Sequence, residues 1–517
     1  MSNKSIWLLR FSVNGHFYNF STTPVDVVSV VDGVLRFKSG LMTEDQPIAP
    51  NAQVRVIGNT DWHLIAQQAG GITGGDAHLR RIVDDGTTQQ WERALGIISF
   101  GEVKTAGYDD TELTLTISQI RRRTPIIPTT QVIDFATFAV PDDKVVGQVY
   151  PRIYGYPGFR TVGVPRPVVP ALLAVSSGIP ATQRFLFSGH DTEVRRNSGN
   201  VQLWRTSEPT ATATATPLKG VDLLGHSYNY VTGAPVPIIA GEEAYIGFSL
   251  AEGGGIPDAS ASGALRGAGE VLLDLLALTD EQIDTGAMRA QFAFLNAYKL
   301  DFFINEGRSA ALQAIAALVD VLPITEQRTA EGLYYQAWNW RAKRTDAVAT
   351  IDAQRDGWTI SGGTQEPDFT PYNRFTLEYA FDRISGGALE RRILGPKLDS
   401  NDSRVAVDWR CAESRAKYGK VFDLAPVQVS TIWDSTTAHL MLMDMAAEHC
   451  LPRPVYTYLA PRNDKQMDRF RGAVVVFGDR DIHIQNRLAL LWPVSYGLRT
   501  TVAVHLLPQV PTRRDRL

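Results

Sequence analysis

Hydrophobic period constrains this chain most, because it changes along the sequence. For most of the length apolar residues recur at every second position, as a half-buried strand requires. Glu112–Ser118 places Leu113, Leu115 and Ile117 on one face. Phe375, Leu377, Tyr379 and Phe381 alternate with Thr376, Glu378, Ala380 and Asp382, and Val405, Val407, Trp409 and Cys411 read the same way. Helical spacing enters in two places. Between 264 and 322 it runs through Val271, Leu272, Leu275, Leu276 and Leu278, then Ala287–Leu295, then Leu312, Ile315, Leu318 and Leu322. At 431–450 it places Leu440, Met443 and Ala447 on one face, with Ser430 or Thr431 as cap and Asp434 at the positive end. Strands, a helical group, strands, one long helix and strands again predict an α+β, β-rich chain of several domains.

Turn and breaker signals divide it. Residues 1–125 read as an N-terminal β domain, with Val27–Val31 and Val34–Phe37 flanking an Asp32-Gly33 hairpin turn and Val54–Ile57 a short strand. Residues 126–165, punctuated by prolines, read as an extended connector. Residues 166–263 form a second β domain with strands at Arg184–Ser188 and Val201–Trp204, and end in Gly253-Gly254-Gly255. The Thr-Ala alternation from Pro209 to Pro217 lacks large apolar residues and fits an exposed edge strand or a stiff loop. Residues 264–332 form the helical module. Residues 333–517 form a C-terminal β domain carrying helix 431–450, with late strands at Val474–Phe477, Asp481–Gln485 and Thr500–Leu507. At 517 residues, with 44% hydrophobic and 21% charged residues, the chain can bury several cores.

Chemistry is hard to find. No phosphate-cradling Gly-rich loop occurs, since Gly419-Lys420 leads into Val421. No nucleophile elbow or paired-histidine zinc helix appears. Asp399-Ser400-Asn401-Asp402 starts like a calcium loop, but Arg404 and Arg410 stand where Gly and Glu are needed. His439 and His449 lie too far apart on one helix to share an ion, and His483 and His505 stand in expected strands where they can be neighbours. Cys411 and Cys450 are expected as two reduced thiols. Net charge is −4, without the basic footprint of a nucleic-acid binder, and Arg121-Arg122-Arg123 reads as a solvated strand end or a subunit salt-bridge site, with phosphate binding as the alternative. We expect no catalytic, cofactor or metal residues, no enzyme activity, no signal peptide and no membrane-spanning segment. Met441, Met443 and Met445 are expected in core packing, with an adaptable docking stripe as the alternative.

Several stretches, in order, resemble the tail-tip or baseplate hub family of tailed phages, which spans contractile-tail hubs, the N-terminal part of lambda-type tail-tip proteins and gene transfer agent hubs. They are Val132–Phe138 leading to Val146–Gly155; Gly253–Gly255 followed by Gly267–Leu276; Leu295–Asp301, Ile304–Glu306, the Leu312–Leu322 helix and Gly332–Tyr334; and Ser414–Gly419, Thr431–Asp434 and Leu451–Arg453. The resemblance implies tail-tube-like antiparallel β-barrel domains and a homotrimer that continues the tail tube. It implies a virion protein at the tail tip, made in the host cytoplasm. Its implied partners are a distal tail ring protein, the tape-measure protein and a central fibre or spike, with DNA passing the lumen without specific binding. The chain lacks the fibronectin-like repeats and fibre region of the lambda type. A receptor- or carbohydrate-binding tail protein is the alternative, with Trp204, Tyr228 and Tyr230 as sugar-stacking candidates.

Overall fold

The computed structural model describes residues 4–13, 16–21, 34–37, 52–58, 62–69, 71–73, 76–84, 89–105, 111–118, 131–158, 168–176, 179, 182–197, 199–205, 212–232, 243–248, 257, 264–279, 282–305, 310–329, 332–364, 369–382, 386–397, 405–461, 471–496 and 500–508. Among the described residues strand outweighs helix, and the strands pair mostly antiparallel in several sheets. No described helix is long and apolar enough to cross a membrane.

The first sheet closes on itself. Strands β1 (Lys4–Val13), β2 (His16–Ser21), β3 (Val34–Phe37) and β4 (Ala52–Gly58), helix α1 (Trp62–Ala69), then β5 (Asp76–Asp84), β6 (Gln89–Thr105) and β7 (Thr111–Ser118) build a barrel in the order β1-β2-β3-β4-β7-β6-β5. Period two along the strands fills it: Leu9, Phe11 and Val13 meet Leu113 and Leu115 in the core, as the alternation at 112–118 requires. Trp62 of α1 enters the same core, its ring 5.7 Å from Phe11 and 5.1 Å from Tyr18. Closure leaves no free strand edge. The Asp32-Gly33 turn and Arg121–Arg123 lie outside the described residues.

The second sheet curls without closing. After β8 (Arg152–Tyr154) come β9 (Val169–Val175), β10 (Arg184–Ser188), α2 (Glu193–Arg196), β11 (Val201–Arg205), β12 (Thr212–Ala215), β13 (Leu218–Val221), β14 (Ser227–Thr232) and β15 (Ala244–Phe248). Their order is β12-β11-β15-β9-β10-β14-β13. The two end strands, β12 and β13, are separated in the chain by only Thr216 and Pro217. That link spans about 10 Å at most, so both edges must meet at one corner and the sheet must wrap. The Thr-Ala run is therefore an edge strand, paired on one side with β11. Phe185, Phe187, Val201, Leu203, Ile246 and Phe248 fill the inside. Residues 131–150 fold against the outer face, where Ile133, Phe138, Val145 and Tyr150 pack on Leu172, Leu186 and Tyr228.

Helices α3 (Ala268–Ala277), α4 (Thr285–Ala290) and α5 (Phe292–Leu295), strand β16 (Phe302–Ile304) and helix α6 (Ala310–Val319) follow, then the hairpin β17 (Ile324–Thr329)–β18 (Gly332–Ala337). Val271, Leu272, Leu275 and Leu276 are buried as the spacing requires, whereas Leu312 is only half-buried and Ala311 and Ala314 take the inner face of α6. The expected single helix Ala287–Leu295 is broken at Gln291, whose side-chain oxygen accepts from Gln336 Nε2 at 3.0 Å.

The last sheet repeats the wrapped arrangement. Strands β19 (Ala349–Asp352) and β20 (Thr359–Thr364) are its two ends, joined by the turn 353–358, in which the Trp358 N–H donates to Ala353 O at 2.8 Å. Between β20 and the rest of that sheet the chain builds β21 (Phe375–Asp382), β22 (Gly387–Leu394), β23 (Val405–Ala406), helix α7 (Trp409–Tyr418), β24 (Val427–Val429) and helix α8 (Ser435–His449). These share one large core with α3–α6. Strands β25 (Val455–Ala460), β26 (Ala473–Asp479), β27 (Ile484–Tyr496) and β28 (Thr500–Leu506) complete the order β19-β26-β27-β28-β25-β20 around Trp358, Tyr458, Phe477, Leu491 and Val504.

Three local expectations are corrected. Val405–Cys411 is not one strand: Asp408 caps a helix by accepting the Arg410 N–H at 2.8 Å, Gly419 ends it with positive φ, and Cys411 rides on α7. Helix α8 starts at Ser435, with Asp434 rather than Ser430 or Thr431 as its cap, because Asp434 accepts the Thr437 N–H at 2.7 Å. Asp481 lies in a turn, and its strand starts at Ile484.

Strand β8 fastens the second sheet to the central body. Successive side chains of a strand face opposite ways, so Ile153 enters the core of the second sheet while Tyr154 enters the large central core. Arg152 beside them grips Asp274 of α3 with two nitrogens, at 2.8 and 3.1 Å.

Candidate assembly surface

The β13–β14 turn is built around one carboxylate. Asp222 is buried, and its Oδ1 accepts the N–H of Leu224 at 2.9 Å and of His226 at 2.8 Å. Its Oδ2 accepts the Tyr150 hydroxyl at 2.5 Å and lies 2.9 Å from His226 Nδ1. Burial works to raise this carboxyl, but the donors from Tyr150 and His226 outweigh it and hold the group below its ordinary range. Gly225 supplies the positive φ that closes the turn. A second turn abuts the first. Asp134 Oδ1 accepts the N–H groups of Ala136 and Thr137, Thr137 Oγ1 donates to Val132 O, and the Leu223 N–H donates to Thr137 O at 3.0 Å.

These two locked turns display apolar side chains to solvent. Leu223 is 66% exposed, Leu224 57% and Phe135 63%. Leu218 and Val221 on the edge strand β13 are exposed as well. Scattered exposed aliphatics are ordinary, but large apolar residues grouped on rigid, hydrogen-bonded turns mark contact surfaces. The signal stands in the sequence as Val221-Asp222-Leu223-Leu224-Gly225-His226, two leucines bracketed by a turn-making Asp and Gly.

The β26–β27 turn of the last sheet uses the same device. Asp479 is buried and accepts the Tyr458 hydroxyl at 2.5 Å, Gln354 Nε2 at 2.6 Å and the Asp481 N–H at 2.9 Å. Its carboxyl, raised by burial, is likewise brought below the ordinary range by these donors. The residues this turn displays are Arg480 and Asp481, both exposed.

The other candidates fall into packing roles. Tyr228 is 1% exposed, receives Arg184 Nη1 on its hydroxyl at 2.8 Å and meets Phe138 and Tyr150 edge-on within the core behind residues 131–150, so it offers no face to a sugar. Tyr230 and Trp204 are half-buried, and the Arg184 guanidinium covers the Tyr230 ring at 5.0 Å. His483 and His505 are not brought together: His505 faces Leu490 across the β27–β28 ladder, and His483 precedes that strand in a turn. His505 packs edge-on against Trp338 and Trp340, and burial takes its pKa down to about 4. Met441 is buried in the central core, with Met443 and Met445 packed against it, so these methionines serve packing and not docking. Among the described residues no group of three or more His, Cys, Asp or Glu side chains is placed to hold a metal ion. Residues Asp399–Asp402 and Gly253–Gly255 lie outside the described residues.

No protein-family model matches the chain, and no curated protein matches it. Among solved structures the chain is similar to the tail protein from Neisseria meningitidis MC58, at 10% identity and a TM-score of 0.34 over 97% of this chain and 96% of that one. It is similar to a chain of the virion of a native gene transfer agent particle, at 10% identity and 0.35 over 74% and 89%. It is also similar to a chain of a lidless PdpA–VgrG complex, at 7% identity and 0.28 over 99% and 67%. Likeness this loose decides nothing about role.

Proposed function

We propose that this chain is a structural protein of a tailed-phage virion: the tail-tip or baseplate hub, a homotrimer that continues the tail tube and anchors distal tail proteins and the central fibre or spike. The observation that carries the reading is the rigid apolar display at Leu223, Leu224 and Phe135, which contributes nothing to the interior of its own sheet. Such a surface is stable in water only while small or covered, and a subunit of a closed assembly covers it with a neighbour. The buried carboxylates support the reading too. Asp222, Asp274, Asp444 and Asp479 each accept a tyrosine hydroxyl and act as braces between elements. The sequence resemblance at 132–155, 267–276, 295–334 and 414–453 supplies the assignment to tail hubs. The partners it implies are a second and third copy, a distal ring protein, the tape-measure protein and a central fibre or spike, with DNA passing without base readout.

The test is genetic and visual. Deleting the gene leaves particles without complete tails, and supplying the chain in trans restores them. Complete, infectious tails assembled in its absence would overturn the proposal.

A further inference from the structure

The chain has two cysteines, 39 residues apart, and the fold brings them together. Cys411 stands near the start of α7 and Cys450 at the C-terminal cap of α8; both are fully buried, and their sulfurs lie 3.5 Å apart. A buried residue touches on the order of ten others. Two cysteines placed at random in a chain this long would thus meet in roughly 2% of cases. The pairing is therefore a property of the site that needs a reason.

Helix α7 gives one. Its buried side chains are Cys411 and Ser414, with no large aliphatic anchor, while Arg415, Ala416 and Lys417 face solvent. Ser414 Oγ lies at the long limit, 3.4 Å, from Asn373 Nδ2. A helix held by so little apolar burial opens at low cost, and opening uncovers the Cys411 sulfur. In the closed state the Cys411 contact, and then burial, push the Cys450 thiol well up, which keeps that sulfur unreactive.

We propose that Cys411 and Cys450 form a latent intramolecular disulfide that staples α7 to the end of α8 once the chain meets a disulfide oxidant. The chemistry is thiol–disulfide exchange. On opening of α7, the deprotonated Cys411 sulfur attacks one sulfur of the oxidant R–S–S–R, forming a mixed disulfide and expelling one thiolate. Cys450, deprotonated in turn, attacks the Cys411 sulfur of that mixed disulfide and expels the second. Two thiols lose two electrons and two protons, and the oxidant leaves as two R–SH. The cross-link closes the loop that carries α7, β24 and α8, so it raises resistance to unfolding there. This inference does not depend on the assembly role proposed above.

The test uses the intact chain and oxidised glutathione, in buffer and in urea below the unfolding transition. Samples are denatured in N-ethylmaleimide and weighed by mass spectrometry. The expected product is lighter by two hydrogen atoms, carries no maleimide, yields one linked peptide pair containing Cys411 and Cys450, melts at a higher temperature and reverts with dithiothreitol. Its yield rises with sub-denaturing urea. In Cys450→Ala, exchange stops halfway and Cys411 retains a glutathione adduct. Two maleimide adducts on the oxidant-treated wild-type chain, or glutathione adducts on it without the internal bond, would overturn the proposal without needing any variant to fold.

Discussion

The second sheet and the last sheet solve one problem in the same way and dress the solution differently. Each is a wrapped sheet whose end strands follow one another in the chain, and each has a hairpin turn locked by a buried aspartate under a tyrosine hydroxyl. In the last sheet the turn around Asp479 displays Arg480 and Asp481, whereas in the second sheet the turn around Asp222 displays Leu223 and Leu224. The polar version shows what the architecture requires, which is the aspartate, its tyrosine and a tight turn. The leucines are an addition that the turn does not need. Under the proposed assembly role, that difference separates folding from contact and assigns the contact to the second sheet.

Substituting the two aspartates breaks what the sheets have in common. Asp222→Ala and Asp479→Ala each strand a buried hydroxyl and turn amides without an acceptor, which costs about 3 kcal/mol or more. Urea unfolding of both variants should show similar losses; a variant that unfolds like wild type would remove its turn from the comparison. Replacing what the turns display breaks the symmetry. Leu223→Ser with Leu224→Ser leaves stability within about 0.5 kcal/mol, yet weakens incorporation into particles by at least about tenfold, as loss of interface anchors does. Arg480→Ser changes neither property. Equal behaviour of the two turns in a particle-incorporation assay would dissolve the distinction.

Tyrosine substitutions act more weakly. Tyr150→Phe and Tyr458→Phe remove one charge-assisted donor each, about 1–2 kcal/mol, and the shift in denaturation midpoint should be alike for the two.

The pH response is the smallest effect and sharpens the contrast with a third brace. Asp222 and Asp479 have turn amides as donors and titrate below the usual carboxylate range, so their stabilisation is present above the unfolded value of about 3.9 and is lost as pH falls through the lowered folded value. Asp444 sits on α8, where its donors are Tyr298 and Arg341; burial prevails over both and holds it at about 6. Its contribution therefore runs the other way, fully present below about 3.9 and lost as pH rises through about 6. Asp444→Asn should flatten the stability profile between those values; an unchanged slope there would remove Asp444 as its source.

Where the sequence was readable, simple periods carried the information. Leu113 and Leu115 face a core because alternate strand residues share a face, and Val271, Leu272, Leu275 and Leu276 are buried because helical spacing puts them on one stripe. Val405–Cys411 misled because alternation over four apolar residues is also compatible with a strand end followed by a capped helix, and Asp408 and Gly419 were the deciding residues. The wrapped sheets were beyond reach, since period two gives a strand its faces but not its neighbours. The meeting of Cys411 with Cys450 depends on helix packing that no local pattern encodes. The apolar turn was legible in principle, because paired leucines between Asp222 and Gly225 contradict the usual polarity of a turn.

The most direct measurement is a cryo-electron microscopy map of the purified particle at side-chain resolution. The chain should appear at the tail tip as threefold-related copies, with Leu223 and Leu224 covered by a neighbouring virion subunit. A map in which the chain is absent from the particle, or in which that turn faces solvent in every copy, would contradict the account.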